Sequence, residues 1–185
     1  MSDKEFPTPG WGHLSGHLDM RPPAPSPERT EAVDRWLIAE RISRYGWAFD
    51  ERRADLIRDN FTEDATWEGT IRGEDPLGPI VGREAVVAWL TEHWSTQHDQ
   101  RRHAIVNTVI EELAETEALA QAYQLLTAAR LGQVAVETTG FYRFKLRQEG
   151  GIWRIAHLFS GYDAPFVPGK LDHLDEDEDE DGGQA

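Results

Sequence analysis

Tyr45, Asp50, His103 and His157 are the residues of this chain whose types suit proton transfer. Imidazole titrates near neutrality. A neighbouring carboxylate fixes its tautomer and stabilises its charged form, while burial acts in the opposite direction. A phenol donates to a developing oxyanion. Such a set can remove a proton beside a carbonyl and deliver one to a leaving hydroxyl, and it calls for no metal or cofactor. Trp47, Trp67, Asn107, Tyr142 and Phe159 are the candidates for contacting a substrate. Each residue also has an ordinary explanation. A single histidine on an apolar strand face is more often a hydrogen-bonded core residue than a catalyst. Asp50 can cap a second helix, Asn107 can tie down a bulge, and Trp47 and Trp67 can be core.

The elements that position these groups follow from periodicity. In RWLIAERISRYGWAFD, residues 35–50, Leu37, Ile38, Ile42, Tyr45 and Phe49 recur in steps of three and four, the spacing of an amphipathic helix. Ser26 is the expected N-cap, ahead of Pro27. Gly46 costs such a helix roughly 1 kcal/mol against alanine. Positions 45 and 50 fall about 140° apart on a regular helix, so they meet in one pocket only if the helix end distorts or the pocket wraps around it. ERRADLIRDNF reads as a short second helix with Leu56, Ile57 and Phe61 inward, and TEDATWEGTIRG as a strand with Ala65, Trp67 and Gly69 on one face. Gly73 to Pro79 reads as a loop, and EAVVAWLTEHW as a third helix. From Arg101 the period becomes two, and RHAIVNTVIEEL, EALAQAYQLLTAAR, VAVETTGFYRFKLR and GIWRIAHLFSGYD read as four strands. Alternation puts His103, Ile105, Asn107 and Val109 on one face of the first, and Trp153, Ile155, His157 and Phe159 together on the last. Tyr142 and Phe144 share a face of the third strand, with Tyr123 and Leu125 on the second. The short connections make neighbours antiparallel. Helices followed by a meander give an α+β fold, with helices laid on one face of a curved sheet.

Three segments are expected: a Pro/Gly-rich arm over 1–27, a domain over 28–168, and an acidic tail over 169–185. The arm and the tail are expected to add little to the core. His13 and His17 have a metal-ligand spacing but no accompanying ligands. The absence of cysteine excludes disulfides, thiolate metal sites and cysteine nucleophiles. Of the net charge of −15, eight acids lie from Leu171 onward, and the remainder carries 26 acids against 19 bases. No basic stripe is present, which argues against nucleic acid and membrane surfaces as partners. Without a signal-like start or a long apolar run, a cytoplasmic protein is expected.

The strings RYGWAFDERRADLIRDNFTEDATWEG, GREAVVAWL, RRHAIVNTVIE and GGIWRIAHLFSGY resemble the SnoaL-like branch of the nuclear transport factor 2-like superfamily, which includes scytalone dehydratase and the bile acid 7α-dehydratases. The resemblance spans about residues 30–166. It implies a cone: a curved antiparallel sheet wrapped around N-terminal helices, with a deep pocket between them. In the dehydratase members a tyrosine and an aspartate of the first helix work with a histidine of the first long strand, and Tyr45, Asp50 and His103 match these. Scytalone dehydratase uses a second histidine as well, a role open to His157 or His103. The bile acid enzymes place an arginine where this chain reads SGYD. The expected function is a cofactor-independent acid–base enzyme (a dehydratase, isomerase or cyclase) acting on a hydrophobic, oxygenated small molecule. A non-catalytic binding or assembly module of the same fold is the alternative. A homodimer through the outer sheet face is expected, because Val106, Ile110, Phe141 and Leu158 would otherwise leave an apolar patch in water.

Overall fold

A computed structural model describes residues 12, 16–18 and 29–165. Helix α1 (Arg29–Asp50) and the short α2 (Ala54–Asn60) lead into strand β1 (Phe61–Ile71), which turns back as β2 (Asp75–Val81). Helix α3 (Arg83–Thr91) follows. Four long strands then run as a meander: β3 (Gln100–Leu113), β4 (Glu117–Arg130), β5 (Gln133–Glu149) and β6 (Ile152–Tyr162). They form one curved open sheet in the order β2-β1-β6-β5-β4-β3. All ladders are antiparallel except β1 with β6, which is parallel. The expected N-cap Ser26 lies outside the described residues.

The helices form because their apolar stripes have a sheet to cover. Ile38, Ile42, Tyr45 and Ala48 of α1 are buried, as are Val86, Val87 and Leu90 of α3, against Ala65, Trp67, Tyr142, Phe144, Ile155 and Leu158 of the sheet. Two details differ from the sequence reading. Leu56 of α2 is exposed, and only Ile57 and Phe61 of that apolar side turn inward. The stretch expected as a loop, Gly73 to Pro79, is mostly strand β2. It tolerates Pro76 and Pro79 because it lies at the sheet edge, where a missing N–H leaves no neighbour unpaired.

Two bulges redistribute the side chains. In β3 the register slips between Val106 and Val109, where Asn107 takes a left-handed φ of 54°. Ile105 therefore packs on the core, but beyond the bulge it is Ile110, not Val109, that does so. In β6 the extra residue is Ala156, since Leu146 pairs with Ile155 and Lys145 with His157. Trp153 and Ile155 face inward, and after the slip Leu158 and Ser160 do. The outer patch assumed from simple alternation is corrected accordingly: Leu158 is core, Ile110 packs against it, and Phe141 is buried beneath Gly12. The exposed apolar residues of the outer face include Val106, Val109, Tyr123, Leu125, Val134 and Val136. From the 1–27 segment, Gly12 lies on the Phe141 ring and His17 stacks on Phe159 with ring centroids 4.4 Å apart. The rest of that segment and the tail from 166 lie outside the described residues.

Gly46 has a reason to be glycine. It lies where α1 meets β3, and a β-carbon there would stand 3.3 Å from the carbonyl oxygen of His103 and 3.4 Å from Cδ1 of Ile105. Alanine would gain roughly 1 kcal/mol of helix propensity, but its methyl would also press on the His103 carbonyl and the Ile105 side chain. Overpacking of this kind typically costs about 1–3 kcal/mol. Gly46→Ala should therefore lower the melting temperature by a few degrees in a thermal melt followed by circular dichroism. A raised melting temperature would show that β3 gives way freely.

Candidate active site

The last residue of α1 and the fourth of β3 meet at the mouth of the curved sheet. Asp50 uses both carboxylate oxygens on one residue: Oδ1 accepts from Nδ1 of His103 at 2.6 Å, and Oδ2 accepts from the His103 backbone N–H at 2.8 Å. Both side chains are withdrawn from water, at 7% and 8% exposure for Asp50 and His103. A buried carboxylate requires such partners. Because it is an acceptor, the carboxylate holds the imidazole as the Nδ1–H tautomer and leaves Nε2 for a ligand. Phe49 stands edge-on to the imidazole at 4.7 Å and fixes its ring plane. The end of α1 stays regular as far as Asp50. Tyr45 therefore lines the cavity directly, while Asp50 reaches it through the His103 ring that it holds.

His103 and Tyr45 line a cavity of ≈ 180 Å³. Its walls are aromatic, with Trp67 and Trp89 at 5.5 Å centroid separation and Phe49 nearby. Its polar groups include three phenols, Tyr45, Tyr142 and Tyr162. Burial is the first cause of a raised pKa in all three. For Tyr45, proximity to Tyr162 and to Asp50 adds to the rise, while a hydrogen bond with Tyr142 opposes it. For Tyr142, the neighbouring phenols and Asp50 push the same way as burial. The site thus pairs an ionisable dyad with phenols that stay neutral, ready to donate hydrogen bonds. Larger depressions lie on the outer surface: one of ≈ 810 Å³ over Val106 and Asn107, and one of ≈ 580 Å³ beside His157. Size alone does not locate chemistry. Among the described residues there is no cluster of His, Asp and Glu with metal-holding geometry, and no helix long and apolar enough to cross a membrane.

The structure separates the sequence candidates into two groups. His103, Tyr45, Tyr142 and Trp67 line the cavity, and Asp50 stands behind His103 through its hydrogen bonds. Four others do not. His157 is on the outer face, with Nε2 at 2.8 Å from Oε1 of Glu68, and Phe159 is on the same face under His17; the bulge at Ala156 carries both there. Asn107 is exposed, at the register slip of β3. Trp47 is 68% exposed, because two residues beyond Tyr45 is about 200° around the helix. The cavity also holds residues that the sequence reading passed over: Arg101, Gln124, Tyr162 and Trp89. A signal existed for two of them, since Arg101 shares the period-two face of His103 and Trp89 lies one turn beyond Val86. Tyr162 comes to the cavity only by way of the β6 bulge.

The sequence profile of the SnoaL-like domain matches residues 30–158. No curated protein matches the sequence. Among solved structures, a protein from Catenulispora acidiphila is 27% identical, with a TM-score of 0.62 over 72% of this chain and 94% of its own. Another structure from that organism, in complex with S-DNPA, is 26% identical, with a TM-score of 0.61 over 71% of this chain and 95% of its own. A protein from Novosphingobium aromaticivorans, described as the beta subunit of an aromatic-ring-hydroxylating dioxygenase, is 18% identical, with a TM-score of 0.66 over 77% and 97%. This last likeness is one of fold.

The raised phenol pKa values have a consequence for stability. Each phenol is neutral in the fold at pH values where the unfolded chain ionises. Its contribution is therefore complete below about pH 10, the ordinary tyrosine value, and is lost as pH rises above it. In a Tyr123→Phe background, which leaves only these three tyrosines, tyrosinate absorbance should rise only together with alkaline unfolding seen by circular dichroism. Titration near pH 10 in the folded protein would contradict the buried, neutral assignment.

Proposed function

From the premise that this chain belongs to the SnoaL-like domain family, we propose that it is a cofactor-independent acid–base enzyme acting on a compact, hydrophobic, oxygenated small molecule. The observation that carries this reading is the buried Asp50–His103 pair opening on a cavity of neutral phenols. His103 Nε2 takes the proton from a carbon beside the substrate carbonyl, and Asp50 stabilises the imidazolium that forms. As the C–H electrons move toward the carbonyl, its oxygen gains negative charge, and Tyr45, backed by Tyr142, donates a hydrogen bond to it. The imidazolium then returns its proton. Delivery to a β-hydroxyl expels water and leaves a double bond, which is dehydration. Delivery to another carbon moves the double bond, which is isomerisation. A cavity of ≈ 180 Å³ is below the range of about 300–1,000 Å³ that takes drug-sized ligands, so the substrate is small and ring-containing, to match Trp67, Trp89 and Phe49.

The S-DNPA complex of the Catenulispora protein supports small-molecule binding by this fold. We also propose a homodimer through the outer face of β3–β5, a reading supported by the exposed Val106, Tyr123 and Leu125.

The test is a panel of cyclic and aromatic β-hydroxyketones incubated with the protein in D₂O, with NMR detection of deuterium uptake beside the carbonyl and of water loss. Asp50→Asn and His103→Ala should each lower turnover about 10²–10⁴-fold. Because the two act as a unit, the double variant should be hardly worse than either single one. Melting temperatures measured alongside separate lost chemistry from lost folding. Full turnover in a folded His103→Ala protein would end the proposal.

A further inference from the structure

Helix α1 ends in a Schellman motif: the Arg53 N–H donates to Ala48 O at 2.9 Å, and the Arg52 N–H to Phe49 O at 3.0 Å. The pivot of such a motif is left-handed, and glycine is the residue that takes this conformation freely. Here the pivot is Arg52, with a φ of 51°. A β-carbon is disfavoured in that region, so a long side chain persists there only where its surroundings hold it.

The guanidinium supplies that hold. Its Nη1 donates to Trp94 O at 3.2 Å, and its Nη2 donates to Gln97 O at 2.9 Å and to Asp99 O at 3.2 Å. All three carbonyls belong to the segment 92–99 that joins α3 to β3. This segment carries His93, which lines the cavity, and Trp94, which stands edge-on to Phe49 at 5.9 Å. Phe49 in turn stands edge-on to His103. The next residue, Gln100, donates from its side-chain amide to the Asp50 carbonyl at 3.1 Å. One side chain, two positions past Asp50, thus holds the lead-in that delivers His103 to Asp50.

We propose that Arg52 is the positioning residue of this site: its clamp on three carbonyls holds segment 92–99 against the end of α1, and so sets the Asp50–His103 geometry and the rim of the cavity. The inference rests on the proposed role of that pair, but its mark on the protein is readable without turnover. Lysine would not substitute, because a point ammonium lacks the planar fork that spans the three acceptors.

Arg52→Gly and Arg52→Lys in the full chain test it. The glycine variant relieves the left-handed backbone while deleting the clamp. The lysine variant keeps charge and backbone strain while losing the fork. Two measurements are made on each: amide hydrogen exchange across 92–103, and the NMR resonance of the His103 Nδ1 proton, which a short bond to carboxylate places far downfield. In Arg52→Gly, exchange over 94–99 should rise about tenfold or more, and the Nδ1 resonance should broaden or vanish while the melting temperature changes little. Arg52→Lys should fall between. Exchange and resonance both unchanged in Arg52→Gly would overturn the proposal. If Arg52→Gly perturbs the resonance while Asp50→Asn retains full turnover, the positioning role stands and the catalytic role of the pair falls. If Asp50→Asn abolishes turnover while Arg52→Gly leaves the resonance intact, the catalytic role stands and the positioning role falls.

Discussion

Both oxygens of one buried carboxylate, Asp50, are held by one residue, His103, through its ring and its backbone. Much of the architecture follows from that constraint. For the backbone N–H of His103 to reach the end of α1, strand β3 must run against the helix, and Gly46 removes the side chain that would keep them apart. For the ring to reach Asp50 as well, the helix must end at that turn. The sheet must also curl, so that β3 at one edge faces α1 while β1 and β6 face α1 and α3 from the other side.

Burial of the pair and the neutrality of the phenols have one cause. Aromatic walls keep water away from Asp50 and His103, and the same walls raise the pKa of Tyr45, Tyr142 and Tyr162. In a low-dielectric cavity a neutral phenol is a better donor to a new oxyanion than it would be in water, because no solvent competes for the bond. The anionic charge of Asp50 is compensated locally by two donors, so the cavity can hold a carboxylate without a buried cation bound directly to it.

The contrast between the two strand histidines shows how a single extra residue allots roles. His103 precedes the bulge of β3 and faces the cavity. His157 follows the bulge of β6 and faces outward to Glu68. Both sit in apolar, alternating sequence. A bulge shifts every later side chain of its strand to the other face, so the same residue type ends in two chemically different places.

Local patterns in the chain were enough to read the order and type of nearly all the elements, and part of the candidate site. The three-and-four spacing of Leu37 to Phe49 and the period-two runs from Arg101 are local signals, and local signals survive without tertiary context. They placed α1, the four long strands, and Tyr45, Asp50 and His103 on facing elements. Tertiary structure alone decided the rest. Strand β2 exists because β1 offers it an edge, although Pro76, Gly78 and Pro79 argue against a strand locally. Tyr162 reaches the cavity, and His157 and Phe159 leave it, through a register slip that depends on the partner strand β5. Trp47 shares a helix turn with Tyr45 but not its face. The left-handed Arg52 gains its purpose from carbonyls more than forty residues away. In each case the deciding partner is distant in sequence, and no local pattern encodes a contact whose other half lies elsewhere in the chain.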